Sequence, residues 1–380
     1  MQSHDPVPTG LTLPAGPVTV ADDRMRAATA HRLARAGTSL VWRGDFQGAR
    51  QLLRAMDRRI GAGPTAADPA EAFRLHRRSR AHRARVLDRL LVELADDYTV
   101  ALRRAPDVRA ACHAAYGPPG GPSLVPLREL LGVIGAHQWR VRGVEVPALG
   151  ARVHPHYGVF APTRSEYVDL VADAPLPATV RRDPAAAVAF DLGTGTGVLA
   201  AVLARRGVGR VVGTDVGPRA VDCARDNARR LGLHGRITVT TGLYPGGGAA
   251  SGRADLVVCN PPWLPGRPTA ALELGVYDED SAMLDGFLAG LGQHLRPGGE
   301  GWLILSDLAE HLGLRTREEL LRLVETAGLR VAGRTGVRPG HRRSRDVSDP
   351  LYAARAAETI SLWRLTTDPQ VERQPPHGPE

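Results

Sequence analysis

Hydrophobic residues in the second half of the chain form short runs, separated by longer stretches with helical spacing. The runs are mostly apolar, whereas the stretches between them place apolar residues three and four positions apart. This alternation predicts strands and helices in turn, with the strands buried on both faces of a largely parallel sheet. The predicted strands are 187–192, 210–215, 236–241, 254–259, 301–306, 329–333 and 358–365, and the predicted helices are 197–206, 219–231, 281–295 and 315–327.

The first part of the chain has apolar residues at spacings of three and four over most of its length, as amphipathic helices do. Leu40 and Val41, and later the group from Val86 to Leu94, belong to this pattern. The chain therefore divides by its patterning. The predicted segments are a disordered lead-in over 1–20, a helical domain over 21–125, a bridging segment over 126–163, an α/β domain over 164–367 and a disordered tail over 368–380.

Composition excludes several kinds of chemistry. The 380 residues include 49 basic side chains, and all of them are arginine. The lack of lysine excludes Schiff-base catalysis, a lysine nucleophile and the phosphate-binding lysine of Walker-type loops. The three cysteines lie far apart, so we expect neither a disulfide framework nor a bound metal. Without an apolar run of membrane-spanning length or a secretory signal, the chain is expected to be cytoplasmic and not membrane-associated.

Positive charge is concentrated in the first part of the chain. Residues 1–150 contain 22 Arg against 14 Asp and Glu, whereas the remainder contains 27 against 26. Seven of these arginines fall between Arg74 and Arg89, with Asp88 as the one acidic residue among them. This segment is either a solvated helix face or a surface for the phosphates of RNA or a ribosomal particle.

A glycine-rich loop, Asp191 to Gly197, follows the first predicted strand of the α/β domain. Glycine permits a tight turn and lets a ligand approach the main chain. Asp215 ends the next predicted strand, where nucleotide-binding sheets place a carboxylate that accepts hydrogen bonds from ribose hydroxyls. Alternating glycines preceded by an acidic residue favour a cationic ligand over the pyrophosphate of a nicotinamide cofactor. A loop brace or helix cap is the alternative role for Asp191.

A second motif, Asn260, Pro261, Pro262 and Trp263, follows the predicted strand 254–259. The carboxyl ends of such strands are where α/β sheets bind ligands. Two successive prolines fix the backbone, so the Asn260 side-chain oxygen and the Pro261 carbonyl can each accept one N–H of a planar amine. Trp263 can stack on the flat group that carries that amine. The pattern predicts a site that aligns an acceptor nitrogen for an in-line displacement.

Both motifs resemble those of class I S-adenosylmethionine-dependent methyltransferases. Asp191 to Gly197 resembles the first motif of that family, and Asn260 to Trp263 resembles the Asn-Pro-Pro-aromatic signature of members that methylate planar nitrogen. These members include release-factor glutamine methyltransferases, ribosomal RNA guanine methyltransferases and adenine DNA methyltransferases. The resemblance covers about Tyr157 to Leu365 and implies a Rossmann-like, seven-stranded, mostly parallel sheet with helices on both faces. An N-terminal substrate-recognition domain, expected here to be helical, is also the arrangement of the glutamine-modifying group.

The resemblance also implies a set of site residues. Many relatives have an acidic residue after the third strand for the adenine amine, but this chain has Gly242 to Pro245 there, so that contact falls to Leu243 or to main-chain groups. The implied contacts to S-adenosylmethionine are Asp191, Gly193, Thr194, Gly195, Gly197, Asp215, Leu243 and Asn260. The implied catalytic residues are Asn260, Pro261, Pro262 and Trp263, and the substrate contacts are Tyr157, Arg164, Trp263 and Tyr277.

The function predicted on these grounds is N-methylation of a planar amide or amine in a macromolecule, with a glutamine-type amide of a translation protein favoured. An exocyclic amine of guanine or adenine in RNA is the first alternative, and a small-molecule or natural-product acceptor is the second. A catalytically silent cofactor-binding subunit that interacts with RNA, and a nicotinamide dehydrogenase, are the alternatives from other classes. The oligomeric state does not follow from the sequence.

Overall fold

The computed structural model of the protein describes residues 16–246, 252–268, 273, 275–340 and 346–367. The chain divides into two compact units, with the boundary between Val141 and Arg142. The predicted tail and the first fifteen residues of the predicted lead-in lie outside the described residues. No described helix is long and apolar enough to cross a membrane.

The N-terminal unit contains a sheet with helices in its connections. Its described strands are β1 (Val18–Ala21), β2 (Ser39–Trp42), β3 (Leu90–Leu94) and β4 (Ser123–Pro126). Its described helices are α1 (Ala27–Arg35), α2 (Phe46–Ile60), α3 (Pro69–Leu87), α4 (Arg109–Tyr116) and α5 (Leu127–Arg142). The sheet order is β1-β2-β3-β4, with the first three strands parallel and β4 antiparallel to β3.

This sheet corrects the prediction of a helical N-terminal domain, for which the sequence pattern predicted no strands. Leu40 and Val41 lie in β2 and the residues from Leu90 onward lie in β3, where nearly every side chain is buried. A short strand buried on both faces is an apolar run, and over a few residues such a run also fits helical spacing. Two boundaries change as well, because residues 18–20 belong to β1 and α5 occupies the start of the predicted bridging segment.

The C-terminal unit contains every strand predicted for the α/β domain. They are β7 (Val188–Leu192), β8 (Arg210–Asp215), β9 (Ile237–Thr241), β10 (Ala254–Cys259), β13 (Leu295–Ser306), β14 (Leu329–Val337) and β15 (Ile360–Thr367). Two short pairs also occur, β5 (Val144–Val146) with β6 (Ala151–Val153) and β11 (Leu264–Pro265) with β12 (Tyr277–Asp278).

The seven described strands of the large sheet are ordered β14-β15-β13-β10-β7-β8-β9. Strands β9, β8, β7, β10 and β13 are parallel, whereas β15 is antiparallel to both of its neighbours. The chain passes from β7 to β8 and β9 on one side, and then returns to β10 on the other side of β7. This reversal makes the β7–β10 junction a topological switch point, where α/β sheets bind ligands. The prediction of a seven-stranded, mostly parallel sheet is confirmed.

Helices cover both faces of this sheet. They are α6 (Glu166–Asp173), α7 (Ala178–Arg182), α8 (Val198–Arg205), α9 (Pro218–Arg230), α10 (Ala282–His294), α11 (Leu308–His311), α12 (Arg317–Thr326) and α13 (Tyr352–Ala357). Alternate residues of β10 show the layering, because Leu256 and Val258 pack with α6, α8 and α9, whereas Val257 and Cys259 pack with α10 and α12. Burial of both faces explains why these strands are mostly apolar.

Candidate active site

Strand register brings the predicted site residues to one edge of the large sheet. Leu192 at the end of β7 pairs with Cys259 of β10 on one side and with Thr214 of β8 on the other. The residues that follow these three along the chain, Gly193, Asn260 and Asp215, therefore lie at the same level of the sheet edge, with Asp215 as the last residue of β8. Because parallel strands end together, the glycine loop and the Asn-Pro-Pro-Trp turn flank the switch point.

The glycine loop needs glycine for two different reasons. Gly193, Gly195 and Gly197 have positive φ angles of 66°, 53° and 79°, a region that residues with a Cβ rarely adopt. A Cβ on Gly193 would collide with the terminal methyl of Met283, and one on Gly197 would lie 3.3 Å from the Ala224 backbone. Around Gly195 the nearest such contact is 3.8 Å away, so its outer side is open.

Asp191 holds this loop from within. Its side chain is 1% exposed, and its Oδ2 accepts hydrogen bonds from the Thr194 hydroxyl at 2.6 Å and from the Ala200 amide at 2.9 Å. Burial raises the pKa of Asp191 from 3.8 to about 7, against the opposing effect of these two hydrogen bonds. These contacts are those of a loop brace, the alternative role weighed from the sequence. They also direct the Thr194 hydroxyl inward, and a cofactor contact by either side chain stays a prediction.

Asp215 links the glycine loop to α9. Its carboxylate accepts hydrogen bonds from the Gly195 amide at 3.1 Å and from the Gly217 amide at 2.9 Å, and burial raises its pKa. An ionised carboxylate offers about four acceptor positions, so two donors leave capacity for the hydroxyls of a ribose. The open side of Gly195 and the acceptor capacity of Asp215 fit the ribose and methionine portions of S-adenosylmethionine.

The segment after β9 is fixed to α10. Thr214 donates its hydroxyl proton to the Leu243 carbonyl at 2.6 Å, and the Leu243 side chain packs where a Cβ on Gly286 would lie. The Tyr244 hydroxyl donates to the Phe287 carbonyl at 2.6 Å, and its ring stacks on His294 with centroids 4.0 Å apart. The Leu243 carbonyl is thus engaged within the protein, and the predicted adenine contact by Leu243 remains a prediction.

The Asn-Pro-Pro-Trp turn is held by its own side chains. The Trp263 indole N–H donates to Asn260 Oδ1 at 2.8 Å, and Pro261 is buried. Trp263 packs against the buried residues on both faces of the sheet. The Arg164 guanidinium carbon lies 5.8 Å from the centroid of the Trp263 ring, and Arg164 Nη1 lies 3.7 Å from the buried Glu358 carboxylate. Arg164 and Trp263, both predicted substrate contacts, therefore lie together.

Residues 150–327 match the family model of the methyltransferase small domain. Residues 150–327 thus form a methyltransferase small domain. The match confirms the predicted resemblance and the predicted cofactor, and the segment is called the methyltransferase domain below.

Curated relatives match over part of their length. The release factor glutamine methyltransferase of Rhodospirillum rubrum is 38% identical over 145 residues, which are 37% of this chain and 44% of that protein. A 4-amino-L-phenylalanine/4-methylamino-L-phenylalanine methyltransferase of Streptomyces pristinaespiralis is 36% identical over 141 residues, which are 36% of this chain and 47% of that protein. The chain spans about half the length of the curated relatives it matches.

Among solved structures, an S-adenosylmethionine-dependent methyltransferase of Thiobacillus denitrificans is similar, with 19% identity and a TM-score of 0.34. The alignment covers 55% of this chain and 92% of that one.

The two predicted tyrosine contacts lie in different parts of the methyltransferase domain. Tyr277 in β12 pairs with Leu264, the residue that follows Trp263, so it lies beside the acceptor turn. The Tyr157 ring packs under the Arg219 guanidinium at 5.5 Å, against the first turn of α9. The structure thus brings Tyr277 to the Asn260 turn but places Tyr157 next to the helix that follows Asp215.

Two further residues of the methyltransferase domain lie at the site and were missed from the sequence. Val216 directly follows Asp215 and is 74% exposed, although it is apolar. Met283 extends from the first turn of α10 to Gly193. The sequence offered a signal for Val216, since it adjoins a predicted ribose acceptor. It offered none for Met283, which is far from Gly193 along the chain. Among the described residues, no cluster of His, Cys, Asp and Glu could hold a metal ion.

Proposed function

We propose that this protein transfers the methyl group of S-adenosylmethionine to the planar nitrogen of a protein side-chain amide of glutamine type. The observation that carries the proposal is the register of β7 with β10, which places the glycine loop and Asn260 at adjoining strand ends. A donor bound over one loop and an acceptor bound at the other would share a single cleft. The same arrangement supports an active enzyme over a silent binding subunit.

The acceptor end of this cleft supplies alignment more than acid–base chemistry. Asn260 Oδ1 and the Pro261 carbonyl each accept one N–H of a primary amide, which turns the nitrogen lone pair toward the glycine loop. When bound, the cofactor supplies an electrophilic methyl group on a sulfonium. Positive charge develops on the acceptor nitrogen as the bond forms, and two oriented carbonyl dipoles stabilise it better than mobile water.

Support for a protein amide comes from the relatives. The Rhodospirillum rubrum relative is named for methylation of a release factor glutamine. A protein substrate in translation is therefore favoured. The role of residues 1–141 in recognising that substrate stays a prediction.

A direct test offers tritiated S-adenosylmethionine to the full chain with a purified bacterial release factor, total RNA and 4-aminophenylalanine in separate reactions. We expect label in the release factor, at a glutamine located by mass spectrometry. Asn260→Ala should abolish transfer yet retain binding of S-adenosylhomocysteine in calorimetry. Label confined to RNA or to 4-aminophenylalanine would overturn the protein acceptor. Binding of NAD but not of S-adenosylhomocysteine would overturn the methyltransferase itself.

RNA is the second candidate acceptor, because one face of α3 is basic. Arg74, Arg78 and Arg85 share that face, and all three are exposed. Arg74 is paired with Glu71, whereas the described residues include no carboxylate partner for Arg78 or Arg85 within 4.0 Å. From Arg74 to Arg85 the helix rises about 17 Å, enough to follow two or three phosphates of a nucleic-acid backbone.

A further inference from the structure

Trp263 holds Asn260 in one orientation. Its indole N–H donates to Asn260 Oδ1 at 2.8 Å across the two intervening prolines, whose φ angles are fixed. The Trp263 ring packs against buried residues on both faces of the sheet, and the Arg164 guanidinium lies over it. Both ends of the hydrogen bond are thereby attached to a rigid frame.

An asparagine side chain has two orientations that differ by exchange of its oxygen and its NH2 group. Only the oxygen can accept a hydrogen bond, and the NH2 group can only donate. An indole N–H donates and never accepts, so it favours the orientation with Oδ1 beside it and opposes the flipped one. Phenylalanine at the same position would offer no donor and would leave both orientations open.

We propose that Trp263 is a positioning residue that fixes Asn260 Oδ1 as an acceptor facing the substrate nitrogen. One lone pair of Oδ1 accepts the indole N–H, and the second remains for an N–H of the methyl acceptor. The inference rests on the proposed function, because it assigns Asn260 to the acceptor. It differs from the stacking role predicted from the sequence, since the ring here acts through its nitrogen.

The orientation of Asn260 can be observed without any acceptor. Asparagine occurs in this chain at positions 227 and 260 alone, so labelling with 15N-asparagine gives two side-chain NH2 signals in NMR spectra. Asn227 is an internal control, because its NH2 group donates to the carbonyls of Thr196 at 3.0 Å and His154 at 3.2 Å.

The variant replaces Trp263 with 3-benzothienylalanine, introduced by amber suppression, which exchanges the indole N–H for sulfur and keeps the fused ring. We expect the single Asn260 NH2 signal of the full chain to split or broaden by exchange, while the Asn227 signal stays unchanged. A single unchanged Asn260 signal would overturn the proposal. A melting temperature close to that of the parent excludes general loss of folding.

Transfer to the release factor provides the kinetic readout. The 3-benzothienylalanine variant should lose roughly tenfold in kcat, equivalent to about 1.4 kcal/mol, with affinity for S-adenosylhomocysteine within about twofold of the parent. The matched control makes the same exchange at Trp302, whose indole N–H donates to Glu300 at 3.0 Å. Unchanged kcat at position 263, with Asn260→Ala inactive, would reject positioning while leaving the proposed function in place.

Discussion

Asp45 in the N-terminal unit and Asp191 in the methyltransferase domain both lie near the end of a strand and brace the turn that follows, yet their pKa values shift in opposite directions. Asp45 accepts hydrogen bonds from Arg104 and from the Gln47 and Gly48 amides, and the Arg104 contact is the main cause that lowers its pKa to about 2. Burial of Asp191 raises its pKa to about 7. The two pKa values shift in opposite directions because Asp45 accepts a hydrogen bond from a guanidinium, whereas the described donors to Asp191 are a hydroxyl and an amide.

The two parts of the chain also differ in net charge. Residues 1–150 carry a net excess of eight arginines, whereas residues 151–380 are nearly balanced. A biased base composition of the genome would raise the arginine content of both parts, because one gene encodes them. It therefore does not explain the difference in net charge. In the methyltransferase domain, the carboxylates at the glycine loop accept hydrogen bonds from a hydroxyl and from amides, and from no guanidinium among the described residues. Such a site favours a cationic ligand, which the sulfonium of S-adenosylmethionine provides.

Replacement of Asp191 by asparagine tests the largest predicted effect. The folded protein binds the Asp191 proton more tightly than the unfolded chain does, since burial raises its pKa from 3.8 to about 7. The free energy of unfolding therefore falls as pH rises between about 4 and about 7, by up to about 4 kcal/mol from this group. An asparagine side chain cannot ionise, so Asp191→Asn should remove this loss. Urea unfolding at pH 5 and pH 8 measures the part of this loss that falls between those two pH values, about 3 kcal/mol.

Asp45→Asn is the control with the opposite sign. Because the folded-state pKa of Asp45 is lowered, its stabilisation is present above the unfolded pKa of about 4 and is lost as pH falls toward 2. Asp45→Asn should therefore destabilise the protein at pH 8 as well as at pH 5. If the two substitutions changed the pH dependence of stability in the same way, the opposite pKa shifts of Asp45 and Asp191 would be contradicted.

Asp215→Asn tests the second carboxylate of the site through cofactor affinity. The predicted ribose hydroxyls donate to a carboxylate that already accepts the Gly195 and Gly217 amides. Hydrogen bonds to a charged acceptor contribute about 1.5 to 3 kcal/mol, so the Kd for S-adenosylhomocysteine should rise by about ten- to a hundredfold. Calorimetry measures it. Asp222→Asn, at an exposed carboxylate on α9, should leave the Kd unchanged, and an equal effect there would remove Asp215 from the predicted site.

The large sheet was predictable because its strands are buried on both faces. Runs such as Ala254 to Cys259 are apolar except for one residue, Asp255, and are separated by clear helical stretches. The same pattern predicted that the glycine loop and the Asn-Pro-Pro-Trp turn lie close together, since loops after neighbouring parallel strands meet at one edge of the sheet. In the N-terminal unit the runs are shorter and adjoin helices directly, so helical spacing runs on from α3 into the strand at Leu90 and hides it.

The sequence did not predict the side-chain hydrogen bonds. The motif Asn260 to Trp263 predicted an acceptor site, but whether the ring stacks or donates depends on how it packs between the two layers of helices. The same holds for Asp278, which accepts hydrogen bonds from the amides of Met283 and Leu284 at the start of α10. Asp280 lies nearer to α10 along the chain, but it has a φ angle of 54° and precedes the helix.

The smallest predicted effect concerns the arginine face of α3. Neutralising two exposed arginines, Arg78→Gln with Arg85→Gln, should weaken binding of a single-stranded RNA several-fold at low salt. It should also reduce the slope of log Kd against log salt concentration by about 1.4, because each lost phosphate contact removes about 0.7. Filter binding across a salt series measures both. Arg322→Gln with Arg330→Gln changes the net charge equally on exposed positions of the other unit. If that pair reduced the slope as much, net charge would account for binding and the α3 face would not be a phosphate surface.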